Sequence, residues 1–197
     1  MEAIEGMQRI QMRWTGVRPL ITHNGELANP RNPIVREIKK LTSKGRKKTD
    51  DDLDALRRLE WRGGLYLDER KHPCIPGDNI HACLVEGARK NKLGKDLDAA
   101  VLVAEGDFPL LYDGPKDIDK LYADDRYIDC RGVDVQGKRV QRTRPIFRKW
   151  ALEIVVDFDP TIIDRARVID AARVSGHRIG LGEYKPRYGR FLVEVLN

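Results

Sequence analysis

The sequence predicts an α+β fold, and three observations predict it. Ile10, Met12 and Trp14 alternate with Gln11, Arg13 and Thr15, the period of two that marks a half-buried strand. Trp150, Leu152, Ile154, Val156 and Phe158 repeat that pattern near the other end of the chain. Between and after them the apolar spacing widens to the helical period, at Ile80, Leu84 and Gly87 and again at Ile162, Ile163, Ala166, Ile169 and Ala172.

The 197 residues suffice for one substantial domain, 1–197, and 41% hydrophobic residues can fill its core. With 37 Lys+Arg against 31 Asp+Glu, the chain carries a formal charge of +6, a moderate excess that suits a polyanionic partner wherever it clusters. Cys74, Cys83 and Cys130 are odd in number and form no CxxC, so a reducing, cytoplasmic setting is expected rather than a secreted disulfide framework. Residues 1–6 are acidic and lack the apolar core of a signal peptide, and no apolar run reaches membrane-spanning length.

The first strand ends at Pro19-Leu20-Ile21-Thr22-His23-Asn24-Gly25, a strand exit followed by a turn signal. A polar insertion, 26–70, follows with two helices. Ile34, Ile38 and Leu41 line the first, and Thr49 caps the second, whose stripe is Leu53, Leu56 and Leu59. Lys44 to Lys48 form a charged loop between them. Ile75-Pro76-Gly77-Asp78-Asn79-Ile80 opens a third helix, with Asp78 expected as its N-cap. Ala100 to Ala104 is a continuous apolar run expected to be a buried strand, and Phe108 to Tyr112 another. After a turn-rich acidic stretch from Asp113 to Asp125, a hairpin insertion, 126–147, is expected, with arms Tyr127–Val135 and Lys138–Phe147 around Gln136-Gly137. Asp159-Pro160, a cap followed by proline, is expected to start the last helix behind the Trp150 strand. Phe191, Val193 and Val195 form the final strand. Without the two insertions the order is strand, helix, strand, strand, helix, strand, the ferredoxin-like or RRM-like βαββαβ unit.

Charge placement supplies the first functional signal. No acidic residue lies between Asp134 and Glu153, whereas Lys138, Arg139, Arg142, Arg144, Arg148 and Lys149 all do. On an extended strand Arg142 and Arg144 share a face, and rows of cations suit a phosphate backbone because each contact releases counterions. A solvated hairpin with snorkelling side chains is the alternative. The second signal is the segment from Gly180 through Leu181, Gly182, Glu183, Tyr184, Lys185, Pro186, Arg187, Tyr188 and Gly189 to Arg190. Its glycines allow close backbone approach, Lys185, Arg187 and Arg190 add charge, and Tyr184 and Tyr188 offer rings on which bases can stack. A plain glycine turn before a strand is the alternative. The helix–glycine–strand order is the reverse of a dinucleotide fingerprint, and the spacing of Gly87 and Gly94 fails that of a P-loop.

Two segments carry a resemblance. Ile75-Pro76-Gly77-Asp78-Asn79-Ile80-His81-Ala82-Cys83-Leu84 resembles the "IPGSSLKGAL" helix opening of RAMP-superfamily proteins, and Gly180 to Arg190 is similar to their C-terminal glycine-rich loop. Within that superfamily the resemblance points to the backbone, crRNA-binding subunit of CRISPR effector complexes, or to a phage-borne or stand-alone relative. It implies a β-hairpin thumb inserted before the third core strand, an RNA or ssDNA ligand, homo-oligomerisation head-to-tail along it, and effector-complex or phage proteins as partners. Some of these subunits cut RNA with an aspartate in the loop after the first strand. Here Asn24 to Pro33 contains none, so a non-catalytic protein without cofactor is expected.

Two further readings remain. Guide-processing RNases of the same superfamily place a histidine after the first strand, where it deprotonates a ribose 2′-OH, and His23 lies in such a place. A metal-independent RNA endonuclease is therefore the alternative function, and a structural protein without nucleic acid is the second. His72, Cys74, His81 and Cys83 form two His-x-Cys pairs. A helix opening at Asp78 points His81 and Cys83 to nearly opposite sides, so no zinc site is expected.

Overall fold

The computed structural model describes residues 6–104, 106–135 and 137–197, without the side chains of Val135 and Lys138. The expectations for residues 1–5, for Gln136 in the hairpin turn and for the Lys138 side chain lie outside the described residues. Strand β1 (Gln8–Gly16) and the short β2 (Leu20–Ile21) open the chain, and helices α1 (Pro33–Ser43) and α2 (Asp50–Gly63) follow. Next come β3 (Cys74–Pro76), α3 (Gly77–Arg89), α4 (Gly94–Ala100), β4 (Val101–Val103), β5 (Asp107–Pro109), β6 (Leu111–Tyr112) and α5 (Ile118–Tyr122). The hairpin is β7 (Ile128–Val135) and β8 (Lys138–Phe147), and β9 (Trp150–Phe158), α6 (Arg165–Val174) and β10 (Phe191–Val195) complete the fold.

The main sheet runs β10-β1-β9-β4, every pair antiparallel. Taking β1, β4, β9 and β10 as the four core strands, that is the order last, first, third, second of the ferredoxin-like βαββαβ unit. Period-two patterning sets the register. Ile10, Met12 and Trp14 face Val156, Ile154 and Leu152, and all six are essentially inaccessible. The opposite face is polar and ion-paired, Arg9 with Asp157 at 2.6 Å and Arg13 with Glu153 at 2.7 Å. Helices α3 and α6 cover the apolar face and approach each other at Gly87, where a Cβ would sit 2.1 Å from Ser175 Oγ. Ser175 in turn donates to the carbonyls of Cys83 at 2.7 Å and Ala171 at 2.8 Å, tying the two helices together.

Several element boundaries depart from the expected ones for physical reasons. Pro76, not Asp78, caps α3, because β3 pairs with β5 up to Pro76 and turns directly into the helix. Asp78 falls in the first turn, where its charge still meets the positive end of the helix dipole. Asp159 starts no helix. Its carboxylate accepts from Thr161 N at 2.8 Å and Thr161 Oγ1 at 2.6 Å, capping one isolated turn that does not propagate into a helix. Asp164 caps α6 instead, accepting from Arg167 N at 2.8 Å. The buried face of α6 is therefore Val168, Ala171 and Ala172, while Ile162 is 47% exposed and Ala166 is exposed. Ala100 belongs to α4, so only Val101–Val103 is strand, and its edge position leaves Leu102 49% exposed. Phe108 to Tyr112 divides between two strands, β5 beside β3 and β6 beside β9.

Thr49 caps α2 through a reciprocal box. Its hydroxyl accepts from Asp52 N at 3.2 Å, and Asp52 accepts from Thr49 N at 3.1 Å. Leu53 is half exposed, and the buried residues of α2 are Glu60, Trp61 and Gly63. Trp61 Nε1 donates to Tyr127 O at 2.9 Å, which docks α2 at the base of the hairpin. Among the described residues no helix is long and apolar enough to cross a membrane.

Candidate nucleic-acid interface

Hairpin register decides which cations act together. Arg131 lies opposite Arg142 and Asp129 opposite Arg144, so these four side chains share one face. Arg139 lies opposite Asp134 on the other face, with its guanidinium packed over Gly132. Arg148 and Lys149 sit in the turn into β9, beside Asp113, Arg126 and Tyr127 at a separate cleft of about 190 Å3. The structure thus brings Arg142 and Arg144 together and sets Arg139, Arg148 and Lys149 apart.

The glycine loop is built by its own backbone. Gly180, Gly182 and Gly189 have φ of 88°, 76° and 69°, conformations that favour glycine. A Cβ on Gly182 would lie 2.3 Å from Ile21 O, and one on Gly180 2.6 Å from Tyr188 O. Hydrogen bonds from Glu183 N to Ile21 O and from Gly189 N to Pro19 O, both 2.8 Å, stitch the loop to β2 and the residue before it. These glycines serve the packing of the loop on its neighbours, and the approach open to a ligand is through the side chains that the loop displays.

Those side chains meet the hairpin. Arg144 Nη1 donates to Tyr184 Oη at 2.7 Å, and its guanidinium lies 5.1 Å from the ring centroid. Arg131 lies 4.9 Å from the ring centroids of both Tyr184 and Tyr188, donating to Tyr188 Oη at 3.0 Å and to Asp129 at 2.7 Å. Those partners hold the Arg131 guanidinium above its ordinary range, the Asp129 carboxylate contributing most. The result is a cluster of two arginines and two tyrosines joining the hairpin to the loop, the two rings tilted by 57° to each other and Arg131 paired with Asp129.

Other predicted cations are committed elsewhere. Arg142 ion-pairs with the buried Glu60, whose other oxygen accepts from Thr143 N at 2.9 Å. Lys185 Nζ reaches Glu86 at 3.0 Å, and Arg190 Nε donates to Pro186 O at 2.7 Å. Arg187 is exposed.

His23 lies between the two halves. It lines a cleft of about 360 Å3 with Glu60, Arg142 and Arg144, and a second of about 160 Å3 with Gly180, Gly182 and Lys185. Its ring reaches solvent, yet the protein packed around it lowers its pKa below the ordinary imidazole value, and the charges of Arg144 and Arg142 push in the same direction. Glu183 and Glu60 oppose that shift.

The four zinc candidates do not converge. His72 faces Asp68 at 4.0 Å and His81 faces Asp98 at 3.7 Å, while burial raises the thiols of Cys74 and Cys83 to about 12. Among the described residues no group of three or more His, Cys, Asp or Glu is placed to hold a metal ion.

Sequence reasoning missed Arg131 and Glu60. Arg131 was within reach, because pairing Val135 with Lys138 across the turn puts Arg131 opposite Arg142. Glu60 carries no local signal, since its role depends on how α2 docks on β8.

No protein-family model matches this sequence, and no curated protein does. Among solved structures, the fold is similar to a chain in a cryo-EM structure of the Type III-B Cmr-beta complex bound to cognate target RNA. The TM-score is 0.50 at 11% identity, covering 95% of this chain and 61% of that one, so this chain spans about three-fifths of its neighbour's length. That likeness is one of fold: an α+β chain with a ferredoxin-type core.

Proposed function

We propose that this chain is a non-catalytic protein that binds single-stranded nucleic acid, RNA or ssDNA, on the surface shared by the β7–β8 hairpin and loop 180–190. Copies line up along the strand, as the resemblance to CRISPR backbone subunits implies. The observation that carries the reading is the Arg144–Tyr184 contact with Arg131 between the two tyrosines. Guanidinium groups meet phosphates, and both guanidinium planes and tyrosine rings accept an unpaired base. A fold neighbour within an RNA-bound Cmr complex supports RNA as the ligand and an effector complex as the setting.

The test is a binding titration of single strands and of blunt duplex of equal length over a range of salt. Tighter single-strand binding, with log K falling linearly in log salt, supports the reading. Equal affinity for duplex, or affinity indifferent to salt, overturns it.

A second reading has its own observation. His23 sits in a cleft with Arg142 and Arg144, and its lowered pKa keeps the imidazole neutral near pH 7, as a general base for a ribose 2′-OH must be. RNA cleavage that persists in EDTA and disappears in His23→Ala would replace the first reading by this one.

A further inference from the structure

Part of the positive charge on the hairpin–loop surface is spent internally. Arg131, Arg142 and Lys185 pair with Asp129, Glu60 and Glu86 in turn. A strand held there by its phosphates needs charge that remains free, because binding strength follows the number of phosphates neutralised. Free charge gathers in a cleft of about 390 Å3 between the turn after α2 and the segment that opens α5. Arg62, Arg70, Lys71 and Lys116 line it, and all four are exposed. Among the described residues no carboxylate pairs with any of them.

The carboxylates that share the cleft are committed elsewhere. Asp117 accepts from Lys120 N at 2.8 Å as the cap of α5, and Asp119 pairs with Arg58 at 2.8 Å. The turn itself is fixed: Asp68 N donates to His72 O at 3.0 Å, and the Asp68 carboxylate accepts from His72 N at 2.7 Å. Arg70 and Lys71 therefore stand on a held turn. Four uncompensated cations around one concave surface repel one another, and an anion of high charge density relieves that repulsion. Two guanidinium forks and two ammonium groups suit phosphate oxygens.

The cleft lies a short step from the hairpin–loop surface. Tyr66 Oη donates to His23 O at 3.2 Å, and His23 lines the cleft that holds Arg142 and Arg144. From Tyr66 to Arg70 the chain spans at most about 14 Å.

We propose that this cleft is a second phosphate-binding site, at which Arg62, Arg70, Lys71 and Lys116 take backbone phosphates of the strand as it leaves the hairpin–loop surface. The proposal rests on the single-strand reading above and extends its footprint to the far end of the helical insertion.

The experiment measures the log–log salt slope per bound copy for homopolymer single strands of increasing length. In wild type the slope should steepen with length until both sites are filled, then level off. Lys71→Gly/Lys116→Ala removes two of the four cations, so its plateau should be lower in magnitude by about 1.4, twice the contribution of about 0.7 per phosphate. Strands too short to leave the hairpin–loop surface should bind this variant as they bind wild type. Lys71 has a φ of 61°, which glycine adopts without strain, so the melting temperature should hold. Lys92→Gly is the matched control, with a φ of 62° and the same change of charge at a residue that does not line the cleft, and its slope should equal that of wild type. A double-variant plateau equal to wild type overturns the second site and leaves the single-strand reading standing. An equal fall in Lys71→Gly and Lys92→Gly also overturns it, since overall charge would then govern. Failure of wild type to bind any strand removes both proposals together.

Discussion

Arg144 on the hairpin and Tyr184 in the glycine loop are joined by a 2.7 Å hydrogen bond and a 5.1 Å guanidinium–ring contact. Forty residues separate them in sequence, and β9, α6 and the turn after it lie between. The contact converts two segments, each readable as ordinary surface, into one continuous patch. It also orders the Arg144 guanidinium, which would reduce the side-chain entropy lost on binding a phosphate in the proposed mode.

Arg144 and Tyr184 should fail in different ways. If the proposed mode holds, Arg144→Ala removes one phosphate contact, and the magnitude of the log–log salt slope should fall by about 0.7. Tyr184→Ala removes a stacking platform, weakening binding by about 1–3 kcal/mol with the slope unchanged. The titration used for wild type distinguishes them. Identical slopes in wild type and Arg144→Ala would place the phosphates elsewhere.

Arg142, on the same face of the hairpin, should behave as a stability residue. Its partner Glu60 is buried and keeps only the Thr143 N–H when the guanidinium is gone. Arg142→Ala should therefore cost about 1–3 kcal/mol, the penalty of a buried polar group left short of partners. In a chain of this size that lowers Tm by roughly 2–4 °C per kcal/mol. Arg139→Ala, on the other face, should stay within about 0.5 kcal/mol of wild type. Calorimetry of both variants checks the contrast, and equal melting temperatures would show that the Glu60 pair contributes nothing.

The lowered pKa of His23 has a signed consequence. The unfolded chain binds a proton on this ring near the ordinary value of about 6.5, while the folded chain resists until lower pH. Between those values the unfolded state holds more protons, so stability is full above pH 6.5 and declines as pH falls through the folded value. His23→Gln should flatten that decline. An NMR titration of the ring should show a midpoint below the ordinary one, moving upward in Arg144→Ala as a repelling charge is removed. A wild-type midpoint at or above the ordinary value would contradict this.

The core strands and the hairpin were legible because period-two patterning reports burial directly, as Ile10, Met12 and Trp14 show. The same alternation puts Arg142 and Arg144 on one face of their strand. The start of α6 was not legible. Asp159 does cap a turn, accepting from Thr161 N while its carbonyl accepts from Ile163 N at 3.1 Å, but that turn stays isolated and α6 opens only at the next cap, Asp164. The site was legible in its parts and not in its assembly. Tyr184 and Arg144 stood out separately, but partner choice among the cations depended on carboxylates from α2 and α3, Glu60 and Glu86, whose positions are set by packing.

The glycine loop yields the last prediction, since Gly182 and Gly137 have almost the same φ, 76° and 75°, in different surroundings. Around Gly137 nothing among the described residues lies within 4 Å of an added Cβ, whereas at Gly182 that atom meets Ile21 O at 2.3 Å and Leu20 Cδ1 at 2.8 Å. Gly137→Ala should therefore cost only the strain of a left-handed alanine, about 1–2 kcal/mol. Gly182→Ala adds a collision with backbone, and the loop can relieve it only by breaking the 2.8 Å hydrogen bond from Glu183 N to Ile21 O. Its cost should exceed that of Gly137→Ala by about 1–3 kcal/mol, the range for a buried carbonyl losing its donor. Because the same displacement would carry Tyr184 away from Arg144, nucleic-acid affinity should fall in Gly182→Ala and hold in Gly137→Ala. Denaturant midpoints and single-strand titrations on both variants check the two claims together. Equal midpoints would mean that loop 180–190 is held by something other than its seat on Ile21.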